Sequence, residues 1–376
     1  MRILSKLVVG VAVAAAAVTL AAAPALADPP AGVTPRPGDV VGVGSDTIQN
    51  LLDQFSHDFN ASHRTGPKLY SWDATNPKTG AIHDNIRFKR GCSIQPRPNG
   101  SSEGITALKT NAGGTTARRP CEDFARSSRD RATGDPGPNP GGLAWVTLAG
   151  DAVTWSTHAV TNAPVRLSPA QLAGIYTCHF RNWSQVGGRP GTIRAFIPQT
   201  GSGTRAFFLK AIGLTTPGAC VSDANNKLEE NEGVNPALRG ANVIFPFSIG
   251  KYIAEKFHSA RCLNATCTPV RGVQCRPGPG QNLFGCDTHG TMVLHPINRT
   301  PPTIGTGRNT KINPGFVHAF TRTLFEVVRF ARTGDHIPAY LEPFFGARGW
   351  VCTNRTARAD LLNYGFVILP TCGRTH

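Results

Sequence analysis

Residues 192–212 read TIRAFIPQTGSGTRAFFLKAI, and three kinds of local order succeed one another along them. Thr192 to Ile197, rich in Thr, Ile and Phe, predicts a strand. Pro198-Gln199-Thr200-Gly201-Ser202-Gly203-Thr204 is loop chemistry, dense in turn-forming residues. Arg205 to Ile212 predicts a helix with Phe207, Phe208 and Ile212 on its apolar side, and Gly213 is placed to close it. A Ser- and Gly-rich turn at a helix start leaves several backbone N–H groups unpaired, with the positive end of the dipole behind them. Such a turn accepts an anion.

Working outward, the same order recurs twice upstream. Asp39 to Gly44 (DVVGVG) predicts a buried strand ending in a tight turn. Ser45 and Asp46 then offer N-cap side chains, and Ile48, Leu51, Leu52, Phe55 and Phe59 mark one face of a helix. Asn99-Gly100-Ser101-Ser102-Glu103-Gly104 leads into a helix carrying Ile105 and Leu108. One such loop is an ordinary helix cap. Three of them, one reading Gly-Ser-Gly-Thr, point to a shared anion site. The spacing is not that of a nucleotide P-loop or a dinucleotide fingerprint, and Gly201-Ser202-Gly203 lacks the elbow of a serine hydrolase.

The N-terminus sets the expected compartment. Arg2 and Lys6 precede an Ala-, Val- and Leu-rich run from Leu7 to Leu20, and Ala25-Leu26-Ala27 follows. This predicts a signal peptide over residues 1–27, cleaved after Ala27, with no cysteine there for a lipid anchor. All ten cysteines lie downstream. An even number in an exported chain favours disulfides, and neighbour pairing is the simplest scheme: Cys92–Cys121, Cys178–Cys220, Cys262–Cys267, Cys275–Cys286 and Cys352–Cys372. The rival is zinc on Cys275, Cys286 and His289, although no paired C-x-x-C occurs. The net charge of +16 suits anionic partners. It is spread along the chain without aromatic interleaving, so nucleic acid is not an expected partner.

Taken in order, these segments resemble the phosphate-binding proteins of ABC importers, within the type II periplasmic-binding-protein fold. The resemblance rests on Gly44-Ser45-Asp46-Thr47-Ile48, Gly100-Ser101-Ser102-Glu103-Gly104-Ile105, Phe124-Ala125-Arg126-Ser127-Ser128-Arg129 and Gly201-Ser202-Gly203-Thr204. Leu167 to Tyr176, followed by Asn182-Trp183, is similar to the family's opening of a second lobe. It implies an α/β chain of two lobes with two crossover segments and a central cleft. Lobe 1 would be 28–147 with 289–376, and lobe 2 would be 148–288. The crossovers are expected near Leu148–Trp155 and Thr288–Leu294, with a Cys/Gly/Pro-rich excursion over 262–286. It further implies a monomer without cofactor or metal, phosphate or a related oxyanion as ligand, and an ABC permease as partner.

By this resemblance the ligand-binding residues are Ser45, Asp46, Thr47, Ser101, Ser102, Arg126, Ser128, Ser202, Gly203, Thr204 and Arg205. Ser128 and Thr200 stand where the family has carboxylates, and Pro198 where it has an arginine. Asp46 is the expected replacement acceptor for a ligand proton. Arg126, Arg129 or Arg205 would restore the positive charge. Arg322, with Leu324, Phe325, Val327 and Val328, predicts a late amphipathic helix of lobe 1. Two other functions remain open: a secreted phosphatase or hydrolase on the same scaffold, and an extracellular binding module without a transport role.

Overall fold

Val40, Val41 and Val43 have no exposed surface, and a β-branched run with both faces covered forms a central parallel strand. In the computed structural model, residues 28–258 and 287–376 are described, apart from 31, 78 and 333. The chain starts with β1 (Val40–Gly44), α1 (Gln49–Ser62), β2 (Leu69–Ser71), a small ribbon of β3 (Asn85–Ile86) and β4 (Gln95–Pro96), α2 (Gly100–Thr110) and β5 (Phe124–Ser127). One long strand, β6 (Leu143–His158), follows. Next come α3 (Pro169–Tyr176), β7 (Arg194–Ala195), α4 (Gly203–Ala211), β8 (Val243–Ser248), α5 (Ile249–Ile253) and β9 (Met292–Leu294). A second ribbon pairs β10 (Thr303–Ile304) with β11 (Lys311–Ile312). The chain closes with β12 (Thr321–Arg329), α6 (Glu342–Phe345), α7 (Trp350–Thr353) and α8 (Arg355–Asn363).

The main sheet runs β2-β1-β5-β12-β6-β8-β7, with β9 also on β6. Its 16-residue strand β6 spans about 50 Å and serves two half-sheets. Leu143 to Ala152 pair with β12, and Val153 to Ser156 pair with β8. Each half has its own core. Val40, Leu51, Leu52, Phe55, Phe124, Leu324 and Trp350 pack in the first. Trp155, Tyr176, Trp183, Phe208, Ile244 and Phe320 pack in the second. Each fully buried Leu or Phe contributes roughly 1.5–3 kcal/mol, so each half is held by its own apolar cluster. This is the two-lobed α/β architecture with a central cleft.

Three expectations change. The stretch from Arg322 to Val328 is not a helix but the middle of β12, sandwiched between β5 and β6. Its Thr, Val and Phe content suits a strand, and burial on both faces erases the alternation that would have revealed it. The return to the first lobe comes later than residue 289. Ile297, Ile312, Phe316 and Phe320 pack in the second core, and β9 pairs with the second-lobe end of β6. The second crossing therefore lies at the start of β12, where Thr321 faces Ala152. Finally, α4 begins at Gly203, two residues before its expected start, because Ser202 caps it.

Cys92–Cys121, Cys178–Cys220 and Cys352–Cys372 are disulfides. The signal segment 1–27, the pairs Cys262–Cys267 and Cys275–Cys286, the excursion 262–286 and two of the three zinc candidates lie outside the described residues.

Candidate functional site

The parallel strands β1 and β5 end side by side, so the loops that follow them face the same crevice. Gly44 ends β1 at φ +121°, and a Cβ there would lie 2.4 Å from the carbonyl of Arg126. Only glycine lets the first loop turn so close to β5. From the second lobe, Gly203 sits against this pair of loops. A Cβ on it would lie 2.3 Å from both the Ser101 and Ser128 hydroxyls. Ser45, Ser101, Ser128 and Thr204 are all fully buried where the lobes meet.

Their polar atoms converge on one side chain, the carboxylate of Glu230. Its Oε1 accepts a hydrogen bond from Ser45 Oγ at 3.1 Å. Its Oε2 accepts from Thr47 Oγ1 at 2.9 Å, from the Thr204 backbone N–H at 3.1 Å and from Ser128 Oγ at 3.3 Å. Ser45 Oγ also lies 2.9 Å from Ser128 Oγ, and Ser101 Oγ lies 3.3 Å from it. Donors from two loops of the first lobe and helix α4 of the second thus surround two negative oxygens, with Ser101 behind Ser128.

The electrostatics agree with that geometry. Burial, reinforced by the negative charges of Glu230 and Glu229, pushes the Asp46 carboxyl well above the usual carboxylate range. Burial alone would do the same to Glu230. The hydrogen bond from Asp46, the charge of Arg322 and the hydroxyls of Thr204 and Thr47 outweigh it and hold Glu230 below its ordinary value. The two shifts run in opposite directions, favouring the proton on Asp46 and the charge on Glu230.

Arg322 supplies the cation. Its Nη1 donates to Thr204 Oγ1 at 3.1 Å and to the Ser128 carbonyl at 3.0 Å. Its Nε and Nη2 grip Asp151 Oδ2 at 2.9 and 2.8 Å. Asp151 is itself fixed by Ser248 Oγ and the Gly250 N–H. Both members sit at the crossing of β6 and β12, so this ion pair ties the site to the junction of the lobes.

The expected site residues separate into three groups. Ser45, Asp46, Thr47, Ser101, Ser128, Gly203 and Thr204 gather around Glu230. Ser202 and Ser102 lie in the same loops but look elsewhere. The Ser202 hydroxyl caps α4 by accepting from the Arg205 N–H, and the Ser102 hydroxyl accepts from Arg129. The three candidate arginines turn away. Arg126 is spent on the carbonyls of Gly44, Ser45 and Trp72 and on Ser71 Oγ, bracing the first loop from behind. Arg129 pairs with Asp135, and Arg205 with Asp223 and the Pro198 carbonyl. Thr200 holds Asn226 at the surface.

Residues 29–244 match the sequence model of the PBP superfamily domain. The chain belongs to that family. Two solved structures share the PBP domain's fold with it. One, from Clostridium perfringens, is described as a substrate-binding protein of a phosphate ABC transporter with bound phosphate. It is 12% identical at a TM-score of 0.53, over 88% of this chain and 99% of that one. The other, an ABC-type phosphate transport receptor from Vibrio cholerae, is 17% identical at a TM-score of 0.50, over 88% of this chain and all of that one. No curated protein matches. The residues of this PBP domain that sequence reasoning passed over are Glu230, Asn231, Asp151 and Ser248, together with Arg322 as a site residue. One signal was available: Glu229-Glu230-Asn231-Glu232 is a dense acidic run in a strongly basic chain.

Proposed function

We propose that this protein is an extracytoplasmic solute-binding protein that holds inorganic phosphate or a similar tetrahedral oxyanion between its lobes and delivers it to an ABC permease. The observation that carries the reading is the convergence of Ser45, Thr47, Ser128 and the Thr204 N–H on one pair of negative oxygens, with Arg322 beside them. Pre-aimed neutral donors replace a hydration shell without importing a competing charge, and burial of the crevice strengthens each bond. Asp46 suits a ligand that carries an ionisable proton, since a carboxyl held near a shared proton can either accept from or donate to an acid oxygen.

The two similar structures, described as phosphate receptors, support the choice of anion. Three disulfides support an oxidising compartment. Among the described residues no helix is long and apolar enough to cross a membrane. Binding without chemistry fits a crevice in which one carboxylate, Glu230, accepts from three hydroxyls at once and singles out no nucleophile. Calorimetric titration with phosphate, sulfate and molybdate tests this. Phosphate is expected to bind best, and Thr204→Ala to weaken it at least about tenfold. Phosphoester turnover, or silence toward every oxyanion up to millimolar concentration, would overturn the reading.

A further inference from the structure

Glu230 is not a bystander at the anion position; it fills it. Both of its oxygens take the donors that a bound oxyanion would need, including the Thr204 N–H at the start of α4. The residue belongs to the second lobe: Leu228 packs in a second-lobe cluster, and its carbonyl accepts from the Gln199 N–H. Three of the four donors come from the first lobe. The turn is also fastened on each side of the carboxylate. Asn231, at φ +62°, sends Nδ2 to Thr47 Oγ1 at 3.0 Å and takes the Ser248 N–H on Oδ1 at 2.8 Å. Glu229 takes Asn99 Nδ2 at 2.8 Å, a further bond between the lobes. The Ser102 N–H donates to the Gly201 carbonyl at 3.1 Å, so the two lobes touch with Glu230 between them.

Resting on the oxyanion-site reading above, we infer that Glu230 is a tethered internal ligand: its carboxylate holds the lobes together in the absence of solute and must leave for a free oxyanion to enter. Two anions cannot share these donors, because Glu230 and a phosphate would each need the Ser45, Thr47 and Ser128 hydroxyls. A tethered group competes at an effective concentration set by its linker, and a buried, doubly anchored turn makes that concentration high. The apparent affinity for solute is therefore the intrinsic one reduced by the fraction of molecules with Glu230 out. Glu230 thus sets the concentration of anion to which the protein responds.

The test compares wild type, Glu230→Gly and Glu230→Gln by calorimetric titration with inorganic phosphate and sulfate, and by small-angle scattering before and after phosphate. Circular dichroism melts check that each variant is folded, and Glu230→Gln, which keeps the side chain's volume, serves if the glycine variant is not. The expected result is at least a tenfold gain in phosphate affinity on removing the carboxylate. The anion-free variant should scatter as a more extended molecule than wild type and contract with phosphate. Equal affinities, or tighter binding by wild type, would overturn the tethered-ligand inference and leave the oxyanion site standing. Silence of all three proteins toward both anions would overturn the oxyanion reading and this inference with it.

Discussion

Arg322 and Asp151 illustrate how much a single pair carries. Asp151 has no exposed side-chain surface, and Arg322 neutralises it while also reaching Thr204 and the Ser128 carbonyl. Removing one partner leaves a buried charge whose desolvation is no longer offset. Arg322→Met is therefore expected to destabilise the protein by about 3 kcal/mol in urea unfolding; a loss below about 1 kcal/mol would show that the donors from Ser248 and Gly250 suffice for Asp151. His295 gives a pH prediction. Burial lowers its pKa to about 4, with its ring stacked on Trp155 at 4.3 Å. A depressed folded-state value means the unfolded chain binds the proton first. The contribution is complete above the ordinary histidine range and fades as pH falls from about 6.5 toward 4. Asp73, raised to about 7 by burial, works in the opposite direction over the whole of that window. The measurement is thus a difference: the stability of wild type minus His295→Gln should decline between those two pH values, and a flat difference would refute the assignment. At this scale the Ser-, Thr- and Gly-rich loops were legible, because those residues at helix starts have a local signature, but not which hydroxyls enter the crevice: Ser102 and Ser202 turn to Arg129 and the Arg205 N–H. The sequence misdirected the arginines, since no local pattern says which way a guanidinium turns, and Arg126 and Arg205 were drawn off by nearer oxygens.

Elements explain which loops meet. Helix α4 approaches the first lobe only because Gly203 has no side chain, so Gly203→Ala should force the Ser101 and Ser128 hydroxyls apart. Phosphate affinity is expected to fall at least about tenfold while the melting temperature changes far less; unaltered binding would mean the loops have room to adjust. Helix α3 tests the caps. Ser168 and Gln171 form a reciprocal capping box, and Pro169 occupies the first helical position. Ser168→Ala should cost about 1 kcal/mol of stability and leave anion binding unchanged, because the helix lies in the second core rather than the crevice. The α1 face was legible since it is local, but its cap was not: the helix starts at Gln49 after Ile48, and neither Ser45 nor Asp46 caps it. Strand β12 was not legible: Leu324, Phe325, Val327 and Val328 fall at spacings that suit a helix, and only tertiary sandwiching between β5 and β6 decides otherwise. The loop carrying Glu230 has no regular period at all, so its arrival in the crevice is a purely long-range event.

The molecule as a whole is two cores strung on β6 and β12, with the polar crevice around Glu230 between them. The strand–loop–helix units around Ser45 and Ser202 were legible in sequence because each is self-describing, whereas the order of the strands in the sheet was not. Nor was the place of the second crossing, because the segment around Ile297, Ile312 and Phe316 chooses its lobe by packing. The central claim is that separate loops of both lobes enclose one anion position, at present held by Glu230. Its most direct test is a crystal structure of Glu230→Gly grown with arsenate, read by anomalous scattering at the arsenic edge. A single strong peak within hydrogen-bond reach of Ser45, Thr47, Ser128 and the Thr204 N–H, with Arg322 alongside, is the predicted result. A peak only in the surface groove lined by Arg166, Ser168 and Arg299, or none at all, would contradict it.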